Sequence, residues 1–567
     1  MKKDIQLLHG GLFDKPIMDS RVKSRAMTKK ELILGHLVGP LGLIFVVNTI
    51  AALVEKFFTQ QTGAMYGVDN VAMIQQMGGV YEVVMTVAKI LAMLTALLNG
   101  WLMQHTRSKQ GRTRPWHLIF GFVSIIVGSL IFLFPGNALG EGYWYYFFFL
   151  LICYHTIGSC YFYVFRDTIC SLVTRSPSEK TRVKFIRQMS WTLISGIVIG
   201  MLVSMVVLPM WLEHDIHGYA QLLIILSIAA IPLLLIEYYY TKERVIEDVA
   251  SVSAEKTNAI PLKQQLRALL TNRYYLIFLV LATLDGIASN FKGGNVQYFY
   301  IKYMLGGEAN PMMYTIYQVV TGIPLGIGAF AIYPLAKKFS VRNVSFVGFA
   351  LIFLGSILGW MFPSKLTIAM IAGFVRQMGY LPHAYITATL FCFAYDSVEY
   401  KSGLRLEGLL GVAIIGAIQT VIYAPFAGGF ESSILRMGFV DVVGIAPTAE
   451  VTSFMTLAFY LFDIIFAGAY LILLPFMDVE KHMPEINAGL LARRKAAVEA
   501  QGEVWVDPEE AERLELEAAN REHEANRIAD LKERCARKGL SFETENQKYL
   551  DKQARKAARK KRGSKPC

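Results

Sequence analysis

The chain consists of long apolar runs separated by short polar stretches. Runs such as "LLIILSIAAIPLLLIEYYY" are continuous and wide, unlike the roughly ten-residue alternating segments that are typical of barrel strands. Apolar runs recur along most of the sequence, and each is long enough to cross about 30 Å of hydrocarbon as a helix. The pattern therefore predicts an all-α polytopic membrane protein.

The spacing of the runs predicts twelve transmembrane helices. They cover residues 33–58, 73–103, 116–135, 143–174, 184–212, 218–240, 274–304, 313–336, 343–362, 366–395, 407–430 and 453–477. The loops after the even-numbered spans carry clusters of Lys and Arg, whereas the loops on the other side carry almost none. The positive-inside rule then places both termini in the cytoplasm.

The loops divide the chain into five segments. We expect a cytoplasmic N-terminal segment (1–32), a six-helix half (33–240), a central cytoplasmic loop (241–273), a second six-helix half (274–477) and a charged cytoplasmic tail (478–567). The stretches "RDTICSLVTRSPSEKTR" and "AYDSVEYKSGLRLEG" occupy matching places in the two halves. Internal repetition of this kind is typical of transporters with two six-helix halves, and the pattern predicts a protein of this two-half design.

Composition supports a membrane protein and argues against metal-binding, disulfide-rich and nucleic-acid-binding proteins. Hydrophobic residues make up 54% of the chain and charged residues 18%, with a mean hydropathy of +0.40. The six cysteines form no CxxC pair, so neither a metal site nor a disulfide framework is indicated. The tail ends in "KQARKAARKKRGSKPC". A solvated helix is the simplest interpretation of the tail, a contact with a cytoplasmic partner or anionic lipid is the alternative, and nucleic-acid binding is not expected.

The stretch "GWLMQHTRSKQGRTRPW" closely resembles a known family signature. The chain resembles the glycoside-pentoside-hexuronide:cation symporters, which are of melibiose-permease type within the major facilitator superfamily. That family has a Gly-Trp at the end of helix 2, a basic loop and then Pro-Trp; "AYDSVEYKSGLRLEG" resembles its loop after helix 10. The matching positions include Gly100, Arg107, Gly111, Arg112 and Pro115 in the first motif, and Asp396, Tyr400, Gly403 and Arg405 in the second.

The resemblance implies a transporter of a sugar or glycoside in a bacterial cytoplasmic membrane. Such a protein works by alternating access, is often coupled to Na⁺ or H⁺, and carries no cofactor. The coupling chemistry differs here, because Ala92 and Ala96 stand where the family has its cation-binding aspartates. Ile44 likewise stands at the place of its helix-1 Asp. Lys89 could replace a bound cation by a fixed charge, so that facilitative transport is a second hypothesis.

Ionisable residues within spans are costly and are therefore the first candidates for substrate binding. The candidates are Glu82, Lys89, His155, Arg166, Asp167, Arg187, Trp191, Asp285, Lys292, Arg376 and Gln419. Arg187 aligns with a sugar-binding Arg of the family, and an Arg fork beside Trp191 suits sugar hydroxyls and C–H faces. Arg166 and Gln419 stand where the family has a helix-4 Asp and a helix-11 Lys.

Three alternatives differ from a sugar transporter. The many cations could select an anionic organic solute, or the tail could make the chain a transporter-like sensor. An enzyme is not expected, because no catalytic residue set, metal-ligand spacing or phosphate-binding loop is evident.

Overall fold

The computed structural model describes residues 31–105, 114–134, 136–158, 211–212, 215–241, 261–292, 295–310, 312–403, 410–442 and 445–500, together with scattered positions up to 551. Within these residues all regular secondary structure is helical. The all-α class is therefore confirmed for this part of the chain.

The first half contributes five long or medium helices to the described structure. They are α1 (Gly39–Tyr66), α2 (Val71–His105), α3 (Arg114–Ile131), α4 (Tyr143–Cys153) and α5 (Gly218–Tyr240). A π-helical segment, Glu31–Val38, leads into α1, and a second one, Tyr154–Gly158, continues α4. Apolar residues surround α5 on all faces, as expected of a helix between lipid and protein.

The second half and the tail contribute the remaining helices that we label. They are α6 (Leu262–Leu270), α7 (Arg273–Lys292), α8 (Val296–Met304), α9 (Met312–Phe339), α10 (Val341–Met361), α11 (Leu366–Tyr385), α12 (Thr387–Ser402), α13 (Leu410–Tyr423), α14 (Gly429–Arg436), α15 (Ala449–Leu473) and α16 (Val479–Glu499).

Three predicted spans are broken in the described structure. The predicted span 407–430 contains α13, a 3₁₀ turn at Ala424–Phe426 and the first residues of α14. The predicted span 366–395 consists of α11 and α12, which are interrupted at Ile386. Pro382 lies just before this break, and a proline removes a helical hydrogen-bond donor and disturbs the turn around it. The predicted span 274–304 consists of α7 and α8 with a non-helical junction at Asn295.

Among the described residues, six helices are long and apolar enough to cross a membrane. They cover Ile33–Tyr66, Val71–Ala96, Gly218–Tyr240, Arg273–Lys292, Val341–Met361 and Ala449–Phe476. Large apolar side chains on their outer faces are exposed, among them Ile225 and Ile228 of α5 at 61% and 66%. Such apolar exteriors suit a lipid environment rather than water. The total of twelve spans stays a prediction.

Close glycine contacts hold α10 against α11. A Cβ added to Gly379 would lie 2.4 Å from the carbonyl oxygen of Gly348. The two backbones therefore touch at a place where no larger residue fits, as small residues allow between membrane helices.

The bundle has two distinguishable ends. We call the end that carries Asp478 and α16 the tail end, and the end that carries the loop between α1 and α2 the distal end. At the distal end, a Cβ on Gly63 of α1 would lie 2.8 Å from Val442, so the first half touches the loop after α14 there. Phe57 and Phe58 of α1 pack into an aromatic core with rings that include Tyr81 and Tyr219.

Candidate functional site

A cavity of about 640 Å³ lies between the two halves of the bundle. Helices α1, α2 and α4 with its π-helical extension contribute one wall, and α7, α8, α11 and α15 contribute the other. The polar lining residues are Asn48, Glu55, Lys89, Tyr154, His155, Ser289, Asn290, Lys292, Gln297, Arg376, Gln377, Tyr380 and Asp463. This volume and the largely apolar lining with a few polar and charged groups are typical of a small-molecule site.

The wall from the second half is organised around the carboxylate of Asp463 on α15. Its Oδ1 accepts hydrogen bonds from Lys292 Nζ at 2.5 Å and from the hydroxyl of Tyr380 at 2.7 Å. Its Oδ2 lies 3.3 Å from Arg376 Nη1. One buried carboxylate thus pairs with two cations, and together with Tyr380 it joins α7, α11 and α15 in the bundle interior.

Aromatic rings cover the same charge cluster. The guanidinium of Arg376 lies 4.1 Å from the centre of the Phe459 ring. Lys292 Nζ also donates to the carbonyl oxygen of Phe459 at 3.3 Å. Cation–π contact and hydrogen bonding therefore fix both cations in defined positions, with Phe459 itself presented to the cavity.

The wall from the first half carries a second group of charges. Glu55 of α1 interacts electrostatically with Lys89 of α2, and Lys89 with the neighbouring His155. The amide of Asn48 is anchored by a hydrogen bond of 2.8 Å to the carbonyl oxygen of Ile44. Charged, amide and aromatic groups from both parts of the chain thus line the same cavity.

The sequence-predicted candidates fall into three groups. Those that line the cavity are Lys89, His155, Lys292 and Arg376. Those in the described structure but away from the lining are Glu82, Asp285 and Gln419. Those outside the described residues are Arg166, Asp167, Arg187 and Trp191. The first group therefore lines the cavity, and a substrate role for any of these residues stays a prediction.

The three candidates away from the cavity have other partners. Glu82 forms a salt bridge with Arg436 of α14. Gln419 Nε2 donates to the hydroxyl of Thr283 at 3.0 Å, which joins α13 to α7. Asp285 interacts electrostatically with a histidine of α11, His383.

Several lining residues were not among the predicted candidates. Glu55 stands next to Lys56 at the end of an apolar run, where the sequence suggests a membrane boundary rather than a binding wall. Tyr380 and Gln377 resemble ordinary helix residues. Asp463 is a lone intramembrane carboxylate, which the cost of burying charge could have added to the list.

The described parts of the two family motifs have structural roles. Gly100 lies in α2, and Pro115 is the second residue of α3. Gly403 ends α12 with a positive φ of 73°, and Asp396 lies within that helix. The other motif residues, Arg107, Gly111, Arg112 and Arg405, lie outside the described residues.

The second motif also receives the tail helix α16. The hydroxyl of Tyr400 donates to Glu485 at 3.3 Å, and Arg493 donates to the carbonyl oxygen of Glu399 at 3.2 Å. The segment at 479–499 therefore packs against α12 and does not extend freely from the bundle.

A neighbouring contact ties the start of the tail to α7. Asp478 accepts hydrogen bonds from Arg273 at 2.5 Å and from the Tyr274 hydroxyl at 2.8 Å. Partial burial opposes ionisation, but the Tyr274 hydrogen bond and the Arg273 charge together hold the pKa of Asp478 below its ordinary value. These contacts favour the charged carboxylate.

A buried ion cluster closes the distal end. Lys302 of α8 lies 2.9 Å from the carboxylate of Asp441, and Lys56 of α1 and the hydroxyl of Tyr303 contact the same carboxylate. Tyr298 lies beneath both lysines. Because Lys56 belongs to the first half and the other groups to the second, the cluster joins the halves on one side of the cavity.

The apolar helical bundle and the cavity inside it are the features expected of a membrane transporter. A family model described as MFS/sugar transport protein matches residues 35–481. The chain belongs to this family, so the resemblance inferred from the loop motifs is confirmed. It is a transporter and not an enzyme.

Individual relatives agree with this assignment. The isoprimeverose transporter of Lactiplantibacillus pentosus is 25% identical over 429 residues, which cover 71% of this chain and 82% of that protein. The inner membrane symporter YicJ of Escherichia coli (strain K12) is 22% identical over 459 residues, or 80% of this chain and 91% of that protein. The crystal structure of a D-xylose-proton symporter matches 78% of this chain and 96% of its own at 15% identity, with a TM-score of 0.50, and supports the fold alone.

Proposed function

We propose that the chain carries a sugar or glycoside across the bacterial cytoplasmic membrane by alternating access, with the cavity between the halves as its substrate site. The cavity is the observation that carries the proposal. It is lined by both halves, so that a rocking motion of one half against the other exposes it to either side in turn. The clustered Lys and Arg of the loops favour a cytoplasmic position for both termini.

The chemistry of the lining suits a polyhydroxylated solute. Asn290, Gln297 and Gln377 each offer both a donor and an acceptor, which matches sugar hydroxyl groups. Phe459 and Tyr154 provide apolar faces for C–H groups of a sugar ring. The charge cluster around Asp463 supplies fixed donors whose positions are set by the protein itself.

The charge balance of the described lining favours glycosides with an acidic group as a second candidate substrate class. The cations Lys89, Lys292 and Arg376 face two carboxylates, Glu55 and Asp463. One cation is in excess when all five are ionised. A single carboxylate on the substrate would balance it, as in a glycoside of a uronic acid.

Counterflow into liposomes tests the proposal. Purified protein is reconstituted with unlabelled sugar inside, and entry of labelled isoprimeverose, raffinose or a glucuronide is measured. We expect exchange of at least one of them, reduced at least about tenfold by Gln377→Leu, which corresponds to loss of about 1.4 kcal/mol of binding.

Gln75→Leu is the matched control, because Gln75 is exposed at the start of α2. Equal exchange by the wild type and Gln377→Leu would exclude the cavity as the substrate site. Preference for the glucuronide over both neutral sugars would select the second substrate class.

A further inference from the structure

A fully buried carboxyl group lies next to the cavity on α14. Glu431 is 0% exposed, and the polar contacts of its carboxyl group within the described structure are with Glu55, Asn295 and the backbone of Glu431 itself. An ionised carboxylate in such a place would bear a large desolvation cost with no cation beside it to offset that cost.

The neighbouring carboxyl group of Glu55 makes ionisation of Glu431 still less favourable. Glu55 of α1 interacts electrostatically with Glu431, and Tyr81 of α2 interacts with both. Asn295, at the junction of α7 and α8, is a further polar neighbour that hydrogen-bonds Glu431 and is itself 0% exposed. Two neighbouring carboxyl groups in a buried site cannot both be charged without strong repulsion.

The nearby cations interact with carboxylates other than Glu431. Lys89 of α2 interacts electrostatically with Glu55. Lys292 of α7 bonds to Asp463, and Arg436 at the end of α14 forms its salt bridge with Glu82. Retention of one proton by the pair Glu55 and Glu431 is therefore energetically favoured.

We propose that Glu55 and Glu431 form a proton-binding site, and that this proton is the ion coupled to transport. This inference rests on the proposed function and deepens it by naming the coupling ion. Glu55 lines the cavity, whereas Glu431 lies behind it on the part of the second half that packs against α1 and α2.

The location gives the proton a route to influence transport. Glu55 belongs to the first half and Glu431 to the second, so separation of the halves at the distal end parts the two carboxyl groups. Once apart and hydrated, each ionises readily and the proton leaves. Protonation thus favours the arrangement in which the halves are joined, which is the differential affinity that coupling requires.

Infrared spectroscopy tests the proton site without any substrate. The wild-type protein should show the C=O stretch of a protonated carboxylic acid at neutral pH, which isotopic labelling of glutamate shifts and alkaline pH removes. Glu431→Gln should abolish the band, and Glu55→Gln should change the pH at which it disappears. Glu450→Gln, at an exposed position on α15, should leave it unchanged.

Transport by the same variants tests the coupling. With isoprimeverose as the probe, Glu431→Gln should keep counterflow but lose accumulation driven by a pH gradient. The proton site is refuted if the wild-type protein lacks the titrating band. It is also refuted if neither substitution changes the band. A Glu431→Gln protein that still accumulates sugar on a pH gradient overturns the coupling.

The two proposals can fail separately. Absence of counterflow by the wild type for every sugar tested counts against the proposed function, while the infrared result still decides the proton site. Glu431 is fully buried, so Glu431→Gln could fail to fold. In that case the proton site is tested by Glu55→Gln at the cavity wall, through the pH at which the infrared band disappears.

Discussion

Replacing Asp463 by Asn tests whether its carboxylate stabilises the two cations that it contacts, Lys292 and Arg376. The substitution keeps the shape of the side chain and an acceptor for Tyr380, so its effect reports on charge. A unit-charge pair about 4 Å apart at an effective dielectric constant of about 20 is worth about 4 kcal/mol. Lys292 and Arg376 both lose this partner, and breaking a buried pair from one side costs about 3–5 kcal/mol of unfolding free energy.

Lys292→Met is the informative comparison. It leaves Arg376 and Asp463 as a balanced pair and replaces the lysine stem by a side chain of similar length. We expect a loss of only about 1 kcal/mol, comparable to a lost hydrogen bond. Unfolding in mixed micelles, followed by far-ultraviolet circular dichroism, measures both variants. If Asp463→Asn is no less stable than Lys292→Met, the two-to-one charge arrangement is not what stabilises this part of the bundle.

The other predictions concern helix packing and the tail. Gly379→Ala should destabilise the protein by about 1–3 kcal/mol, because the added methyl group meets backbone. Gly416→Ala, where a methyl group meets nothing within 4 Å, should be neutral or slightly stabilising in the same unfolding assay; equal losses would contradict this. The lowered pKa of Asp478 means that its contacts with Tyr274 and Arg273 stabilise the docked tail above the ordinary carboxyl value of 3.8 and weaken as the pH falls below it. Proteolysis of the tail should therefore accelerate in the wild type as the pH falls below 3.8, whereas Asp478→Asn should show a smaller dependence on pH, because Glu485 still titrates there.

The sequence predicted the features that depend on the local pattern of residues, namely helical spans and charged residues within them. An apolar run of 23 residues from Gly218 to Tyr240 can hardly be anything but a span, and the structure has that helix with the same limits. Lys89, Lys292 and Arg376 were recognised as candidates because charge inside a span is costly. All three line the cavity.

What the sequence could not predict depends on partners far apart along the chain. Lys292 lies two turns from Asp285 on one face of α7, yet it pairs with Asp463. Glu55 and Glu431 are separated by most of the protein, and only the fold brings them together. Charge along one helix therefore indicates that a polar interior exists but not which groups meet there.

The ion cluster at the distal end has a consequence for rate. Lys56, Lys302 and Asp441 are buried together and come from both halves, so water must reach all three charges in one event before the halves can part there. The alternative, a gradual loosening, would leave unpaired charges in a medium of low dielectric constant. We therefore expect opening at this end to be an infrequent step in the transport cycle, because it separates Lys56 from the buried carboxylate of Asp441.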